Sequence, residues 1–250
     1  MPELPRTQKL TLIYFAATLL AITLATQLGD RLEQPGIVLV GVVSPLLLAA
    51  AFSYYEFGWR GVRGLFGRPA GFRVGLLPLM CALLLPFVLM MASIGLDRGE
   101  WTPPDVSNSW KKVPILLVLM TGEEFGWRRF AFARLLSSAS FMTSALLVGV
   151  VWLCWHFPGH LIGMGTPDDM SFGLFALMLI PGSILLAYLY FWTRNVYLVI
   201  LAHVSSNVAF NSLPLLPEVT GDSTAFTIYA GLLWLLALPL ILNRRYWRKG

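Results

Sequence analysis

Charged residues are scarce in this sequence: Asp, Glu, Lys and Arg make up 12% of its 250 residues, and hydrophobic residues make up 57%. Soluble domains carry about 25% charged residues, so an ordinary soluble fold is excluded. The mean hydropathy of +0.71 indicates segments that cross a lipid bilayer. We predict an all-α, polytopic membrane protein that forms a single transmembrane domain over residues 1–250, with a motif-bearing core at about 109–213.

Cysteine and histidine are also rare, with two and three copies. Cys81 and Cys154 lie in apolar runs, which is typical of buried free thiols and not of a disulfide or a metal site. The His-Glu-x-x-His sequence of zinc protease helices is absent. His156 and His160 have the spacing of a metal-binding pair, but Pro158-Gly159 is expected to break the helix between them.

Long apolar runs dominate what remains, and about 20 such residues cross the hydrocarbon region. They predict about eight transmembrane helices, and the amphipathic stretch 130–136 predicts an interfacial helix after the fourth. The first run is longer than a typical signal-peptide core, so we expect a retained helix there. The predicted spans are about 10–28, 36–55, 74–96, a fourth that starts near Ser109 and carries the Glu-Glu motif, and then 141–157, 171–192, 195–213 and 224–242.

Basic residues are distributed unevenly between the predicted loops. With the amino terminus inside, 14 of the 18 Lys and Arg residues fall on the inner side. The positive-inside rule then places both termini in the cytoplasm. We expect the protein in the cell (inner) membrane. Topology therefore accounts for the net charge of +5, and we predict contact with membrane lipids and no binding to nucleic acid.

Two adjacent carboxylates interrupt the fourth apolar run, in the stretch Gly122-Glu123-Glu124-Phe-Gly-Trp-Arg128. On a helix, Glu124 and Arg128 share one face and can form an ion pair, whereas Glu123 points about 100° away. An unpaired carboxylate inside a membrane costs at least a few kcal/mol and usually marks a functional site. The alternative is that both glutamates lie in the water interface and cap a helix end.

Two further polar clusters interrupt the later helices: Trp152-Leu-Cys-Trp-His156 and His203-Val-Ser-Ser-Asn207. A histidine beside two tryptophans can be an interfacial residue, and a histidine and an asparagine four residues apart can simply bond across helices. If these groups converge with Glu123, however, they supply a general base, a positioning group and an oxyanion site.

In this order, the three clusters resemble the motifs of the CAAX protease and bacteriocin-processing (CPBP) family of intramembrane endopeptidases. Glu123-Glu124-Phe-Gly-Trp-Arg128 is similar to Glu-Glu-x-x-x-Arg, Trp152-Leu-Cys-Trp-His156 to aromatic-x-x-x-His, and His203-Val-Ser-Ser-Asn207 to His-x-x-x-Asn. The chain departs from the family pattern at Trp152, where phenylalanine is more usual, but it keeps an aromatic ring.

The resemblance implies a protease site open to the cytoplasmic side, with a lipidated or transmembrane peptide or protein as substrate. By analogy, Glu123 and His156 activate a water, and His203 and Asn207 hold the oxyanion. Glu124 and Arg128 form a structural ion pair. No obligatory cofactor is predicted; zinc remains an alternative, with Glu123, His156 and His203 as its ligands.

Two other functions stay open at this point. Some relatives are associated with bacteriocin self-immunity, which corresponds to a non-catalytic membrane binder or scaffold. A transporter with a Glu/His proton relay would also need charged groups in the bilayer. Transporters usually contain internal repeats or broken helices in matching positions, and this sequence contains neither repeat nor symmetry.

Overall fold

The computed structural model describes residues 6–167 and 169–249, and every regular element in these residues is helical. Ten α-helices are joined by one π-helix, Phe125–Phe132, and by 3₁₀ turns at Ser109–Lys112 and Arg244–Trp247. The helices are α1 Arg6–Arg31, α2 Pro35–Phe66, α3 Leu76–Arg98, α4 Val113–Glu124, α5 Ala133–Leu135, α6 Phe141–His160, α7 Phe172–Thr193, α8 Val196–Ser212, α9 Pro217–Thr220 and α10 Thr224–Leu242.

Seven helical segments of the described chain are long and apolar enough to cross a membrane: α1, α2, α3, α6, α7, the segment Val196–Thr220 that comprises α8 and α9, and α10. The protein is therefore an integral membrane protein, as predicted. The fourth predicted span has a different construction. Its α-helical part, α4, has 12 residues, and the π-helix and α5 continue it without a break to Leu135.

This continuation replaces the separate interfacial helix that we expected after the Glu-Glu motif. Phe130 and Phe132 are buried within the bundle, although their spacing from Arg129 and Arg134 gives the stretch an amphipathic sequence. The contacts of Arg129 explain why an amphipathic stretch can lie inside the bundle. Arg129 donates to the carbonyl oxygens of residues 64, 65 and 67 at the end of α2, so its charge is satisfied by a helix terminus.

Two other helix limits differ from the prediction because proline and glycine did not end the helices. The helix α2 continues through the Gly-rich basic stretch to Phe66, with a kink at Gly58 (φ 59°, ψ −152°). The helix α6 passes through Pro158 and ends at His160. The expected break between His156 and His160 is therefore wrong. His160 nonetheless turns to Thr166, with 2.9 Å between its Nδ1 and the hydroxyl oxygen.

Close packing fixes α4 against α2. A Cβ atom added at Gly122 would lie 3.0 Å from the Cα of Val43, and one at Gly126 would lie 2.4 Å from the Cβ of Pro45. Gly122 and Gly126 are four residues apart, so together they form the small-x-x-x-small pattern that lets membrane helices approach each other. The Glu-Glu motif lies between these two glycines and is thereby pressed into the bundle.

The helix α4 also packs against α8, and the segment before α4 is tied to the end of α8. The hydroxyl of Ser109 donates to the carbonyl of Asn211 at 2.9 Å, and the backbone N–H of Asp105 donates to the carbonyl of Ser212 at 2.8 Å. The ammonium group of Lys112 donates to the side-chain oxygen of Asn211. These bonds satisfy carbonyl groups that a helix end otherwise leaves without partners.

Candidate active site

The buried carboxylate of Glu124 lies at the centre of a charged cluster. Its Oε1 accepts from the Nη1 of Arg128 at 3.0 Å and lies 2.7 Å from the Nδ1 of His203. The side chains of Glu124 and Arg128 are fully buried, and Arg128 also donates to the hydroxyl of Ser183 on α7 at 3.3 Å. The ion pair expected from the spacing is thus present, and it joins α4, α7 and α8.

Glu123 makes a different contact. Its Oε2 accepts from the indole Nε1–H of Trp152 on α6 at 2.7 Å, and its side chain is buried. Within the described residues, Glu123 makes no other hydrogen bond, so its Oε1 is unpaired. The two adjacent glutamates therefore divide as their helical directions predict: Glu124 is neutralised by a cation, and Glu123 is held by a neutral donor.

The indole of Trp152 lies between the two histidines of the site. Its ring centroid is 5.5 Å from that of His156 and 5.4 Å from that of His203, and the guanidinium of Arg128 lies 4.4 Å above its face. Trp152 and His156 are four residues apart on α6, so both face the interior of the bundle. The same residue thereby contacts all three motifs.

The hydrogen bonds define which nitrogen of each histidine carries a proton. The Nδ1 of His156 lies 2.9 Å from the carbonyl oxygen of Trp152, which can only accept, so Nδ1 is protonated. Neutral His156 therefore presents its Nε2 as an acceptor. The Nδ1 of His203 likewise donates to the carboxylate of Glu124.

Asn207 lies one helical turn beyond His203 on α8. Its amide donates to the carbonyl of His203 at 3.1 Å and to the sulfur of Met120 at 3.5 Å. A thioether is a weak acceptor, so the second of these donors is available to a stronger acceptor, such as an oxyanion, without a large loss.

A cavity of about 660 Å³ opens beside these groups, which is within the usual range of about 300–1,000 Å³ for small-molecule sites. Trp152, His156, His203 and Asn207 belong to its wall, and the rest is mainly apolar. Glu123 is not part of the wall, and the structure places it behind Trp152. The cavity runs from Thr166 at one end of the bundle to Trp192 and Leu240 at the other.

In the described part of the chain, no three His, Cys, Asp or Glu side chains converge closely enough to hold a metal ion. The Oε2 of Glu123 and the Nδ1 of both His156 and His203 are engaged in hydrogen bonds, so a metal ion could bind only the Oε1 of Glu123 and the Nε2 of each histidine, and the independence from an obligatory metal stays a prediction. Both cysteines are free thiols; Cys81 lines the cavity, and Cys154 is exposed, contrary to the expectation that it is buried.

Sequence reasoning missed two residues of this cluster. The sequence predicted a role only for the aromatic ring of Trp152, whereas its N–H is the group that contacts Glu123. Ser183 follows Pro181-Gly182 in α7, and its sequence gives no sign that it contacts Arg128. An indole in a motif that tolerates phenylalanine is a usable signal, since a buried indole N–H usually needs an acceptor.

Comparison with known proteins gives two matches. The profile of the family described as "Type II CAAX prenyl endopeptidase Rce1-like" matches residues 106–209, which contain all three motifs. CAAX prenyl protease 2 from Methanococcus maripaludis is 29% identical over 175 residues, which cover 66% of this chain and 62% of the relative. The chain therefore spans about 62% of the length of the relative it matches.

Proposed function

We propose, because the profile of the Rce1-like CAAX prenyl endopeptidases matches the motif-bearing region of this chain, that the protein is an intramembrane endopeptidase that uses a glutamate-activated water. The observation that carries the proposal is the arrangement of Glu123, His156 and His203 around the single indole of Trp152. It combines a buried ionisable base, Glu123, with an imidazole acceptor and hydrogen-bond donors that line one cavity.

In the proposed first step, a water donates hydrogen bonds to the free Oε1 of Glu123 and to the Nε2 of His156. Glu123 takes the proton of the water while the water oxygen attacks the carbonyl carbon of the peptide bond. A positioned base of this kind accelerates hydrolysis by about 10²- to 10⁴-fold.

His203 and Asn207 act on the negative charge of the tetrahedral intermediate. Glu124 occupies the Nδ1 of His203, so this histidine can donate to an oxyanion from Nε2 only as an imidazolium, which the carboxylate of Glu124 stabilises. Asn207 supplies the second donor by exchanging the sulfur of Met120 for the oxyanion. The proton taken by Glu123 then passes to the leaving nitrogen, and the C–N bond breaks.

The wall of the cavity indicates the class of substrate. Leu85, Leu89, Leu185 and Leu233 are among its many apolar residues, which suit a hydrocarbon chain or an apolar peptide segment. The relative's name refers to a CAAX prenyl protease. We therefore propose a lipidated or transmembrane peptide or protein as substrate, with a prenylated peptide as the first probe, entering from the cytoplasmic side. Metal ions have no part in the proposed steps.

The test is cleavage of prenylated and transmembrane reporter peptides by the purified, detergent-solubilised protein, with and without a chelator. Glu123→Gln is expected to lower kcat by at least about 10²-fold, because the amide cannot take a proton. Glu100→Gln, in the exposed loop after α3, is the matched control and should retain full activity.

Each result bears on a different part of the proposal. Loss of cleavage in the presence of the chelator would restore a metal to the mechanism. Equal, undetectable cleavage by wild type and Glu123→Gln would contradict the endopeptidase and favour a non-catalytic binder. Cleavage that survives the chelator and disappears in Glu123→Gln is the expected outcome.

A further inference from the structure

Trp152 holds both groups that the proposed function assigns to water activation. Its side-chain N–H donates to Glu123, and its backbone carbonyl accepts from the Nδ1 of His156. We propose that Trp152 is the positioning residue of the site and that its indole N–H sets the orientation of the catalytic carboxylate. This inference rests on the proposed function and adds a residue to it.

The hydrogen bond matters because Glu123 is buried. A carboxylate in an apolar interior retains its reactive orientation only if something fixes it, and no cation performs that task here, since the nearby guanidinium of Arg128 is bonded to Glu124 and Ser183. The N–H of Trp152 binds one oxygen of Glu123 at 2.7 Å and leaves the other oxygen to face the water. The donor therefore separates a holding oxygen from a reacting oxygen.

Other contacts keep the indole itself in place. The guanidinium of Arg128 lies over its face at 4.4 Å, and His156 and His203 lie edge-on to it. Edge-on aromatic contacts and cation–π contacts both restrict rotation of the ring. The indole N–H can thus point only toward α4, where Glu123 lies. A phenylalanine would keep the ring contacts and the backbone carbonyl but would remove the donor.

Two neighbouring tryptophans show that the pairing is not a general property of buried indoles in this protein. Trp127 and Trp155 are as buried as Trp152, and within the described residues their Nε1–H groups have no acceptor. Trp127 packs against Tyr14 and Trp155. A Trp127→Phe substitution therefore reproduces the change in ring size without removing a hydrogen bond, which makes it the matched control.

The test compares kcat and KM for Trp152→Phe, Trp127→Phe and wild type. Misplacing a reacting group by about 1 Å can cost 10²-fold, so Trp152→Phe is expected to lower kcat by about 10- to 100-fold. Its KM should change by less than its kcat, because the lost hydrogen bond acts on Glu123, although the indole also lines the cavity. Trp127→Phe should change kcat by less than about threefold.

A role in packing alone predicts different results. Equal losses in the two variants, a raised KM with unchanged kcat, or full activity of Trp152→Phe would each overturn the proposal. If Trp152→Phe does not fold, benzothienylalanine at position 152 replaces only the N–H by sulfur and keeps the ring shape. The same loss of kcat is expected from it.

A spectroscopic measurement separates failure of this inference from failure of the proposed function. The ultraviolet resonance Raman spectrum of wild type minus Trp152→Phe should contain a strongly hydrogen-bonded indole, and wild type minus Trp127→Phe should contain a free one. Absence of the bonded signal would overturn the positioning role even in an active enzyme. A bonded signal in a wild type without cleavage would contradict the proposed function and retain the contact.

Discussion

At the scale of single residues, Glu124 is notable because one of its oxygens serves two donors. Arg128 and His203 both bind Oε1, while Oε2 is buried without a partner in the described chain. Separating the charges of such a pair leaves an uncompensated ion in an apolar interior, which costs about 3–5 kcal/mol in proteins. The ion pair therefore contributes to the site mainly because loss of either partner would leave the other charge buried and uncompensated.

Arg128→Met is accordingly expected to lower the free energy of unfolding by about 3–5 kcal/mol. The double variant with Glu124→Gln should lose less than the sum of the two single variants, because neither charge is then left alone. Thermal unfolding in detergent measures both. Arg98→Met, which breaks a partly exposed pair with Asp97 and a long hydrogen bond to the carbonyl of Pro214, serves as the control and should change stability by less than about 1 kcal/mol. If the double variant loses as much stability as the two single variants together, Glu124 and Arg128 are not energetically coupled.

The sequence predicted much of the site at this scale, but not all of it. The ion pair of Glu124 and Arg128 follows from a spacing of four within one helix, which depends only on helical geometry. The bonds from Trp152 to Glu123 and from His203 to Glu124 join residues 29 and 79 positions apart. They depend on how α6 and α8 are rotated against α4, and a local pattern holds no information on that rotation.

At the scale of helices, glycine decides how deeply the Glu-Glu motif enters the bundle. A Cβ atom at Gly126 would lie 2.4 Å from the Cβ of Pro45, 2.8 Å from its backbone carbonyl carbon and 2.5 Å from the hydroxyl of Tyr14. Tyr14 in turn donates to the carbonyl of Pro45 at 3.1 Å, so neither neighbour is free to move away. The contact at Gly126 is between backbones, and a side chain cannot be added cheaply.

Gly126→Ala is therefore expected to destabilise the protein by about 1–3 kcal/mol, as overpacked sites do. It should also reduce cleavage, because the shift moves Glu123 relative to Trp152. Gly231→Ala in α10 is the matched control, since an added Cβ there meets nothing within 4 Å. Unfolding midpoints of the two variants give the comparison, and equal midpoints would show that the helices can separate without cost.

The limits of the helices were predicted with unequal success for a physical reason. Six of the eight predicted spans agree with the structure apart from a few residues at their ends. The longer deviations are in the glycine-rich end of α2, which continues to Phe66, and in the fourth span, which continues as the π-helix and α5 to Leu135. The helix α6 also passes through Pro158, where the sequence indicated a break, and ends three residues beyond its predicted limit. In the hydrocarbon region, a backbone N–H or C=O group without a protein partner has no water to bind. A helix therefore tends to continue through residues that would end it in a soluble protein.

At the scale of the whole molecule, the side from which substrate enters depends on the orientation of the bundle. The distribution of basic residues predicts that the loop at 67–75 is cytoplasmic and that the loop at 99–108 is outside. Arg68 and Glu100 are exposed representatives of these two loops. We assign eight helical segments as crossings. In this orientation, the end of α10 therefore lies on the same side of the membrane as the start of α1.

Single-cysteine variants test this orientation once Cys81 and Cys154 have been replaced by alanine. In intact cells, Glu100→Cys should react with a membrane-impermeant maleimide, and Arg68→Cys should react only after the membrane is opened. The reverse labelling pattern would show that the protein has the opposite orientation. The Thr166 end of the cavity would then face the cytoplasm. Each variant serves as the control of the other, because both residues are exposed.

The bonds between the segment before α4 and the end of α8 restrict sliding along the helix axes. A slip of α8 past α4 by one helical turn, about 5.4 Å, would break the contacts of Asp105 and Ser109 with residues 211 and 212. The same slip would carry His203 away from Glu124, over a distance greater than any hydrogen bond spans. A set of bonds at the rim of the bundle thus keeps the axial register that the buried histidine requires.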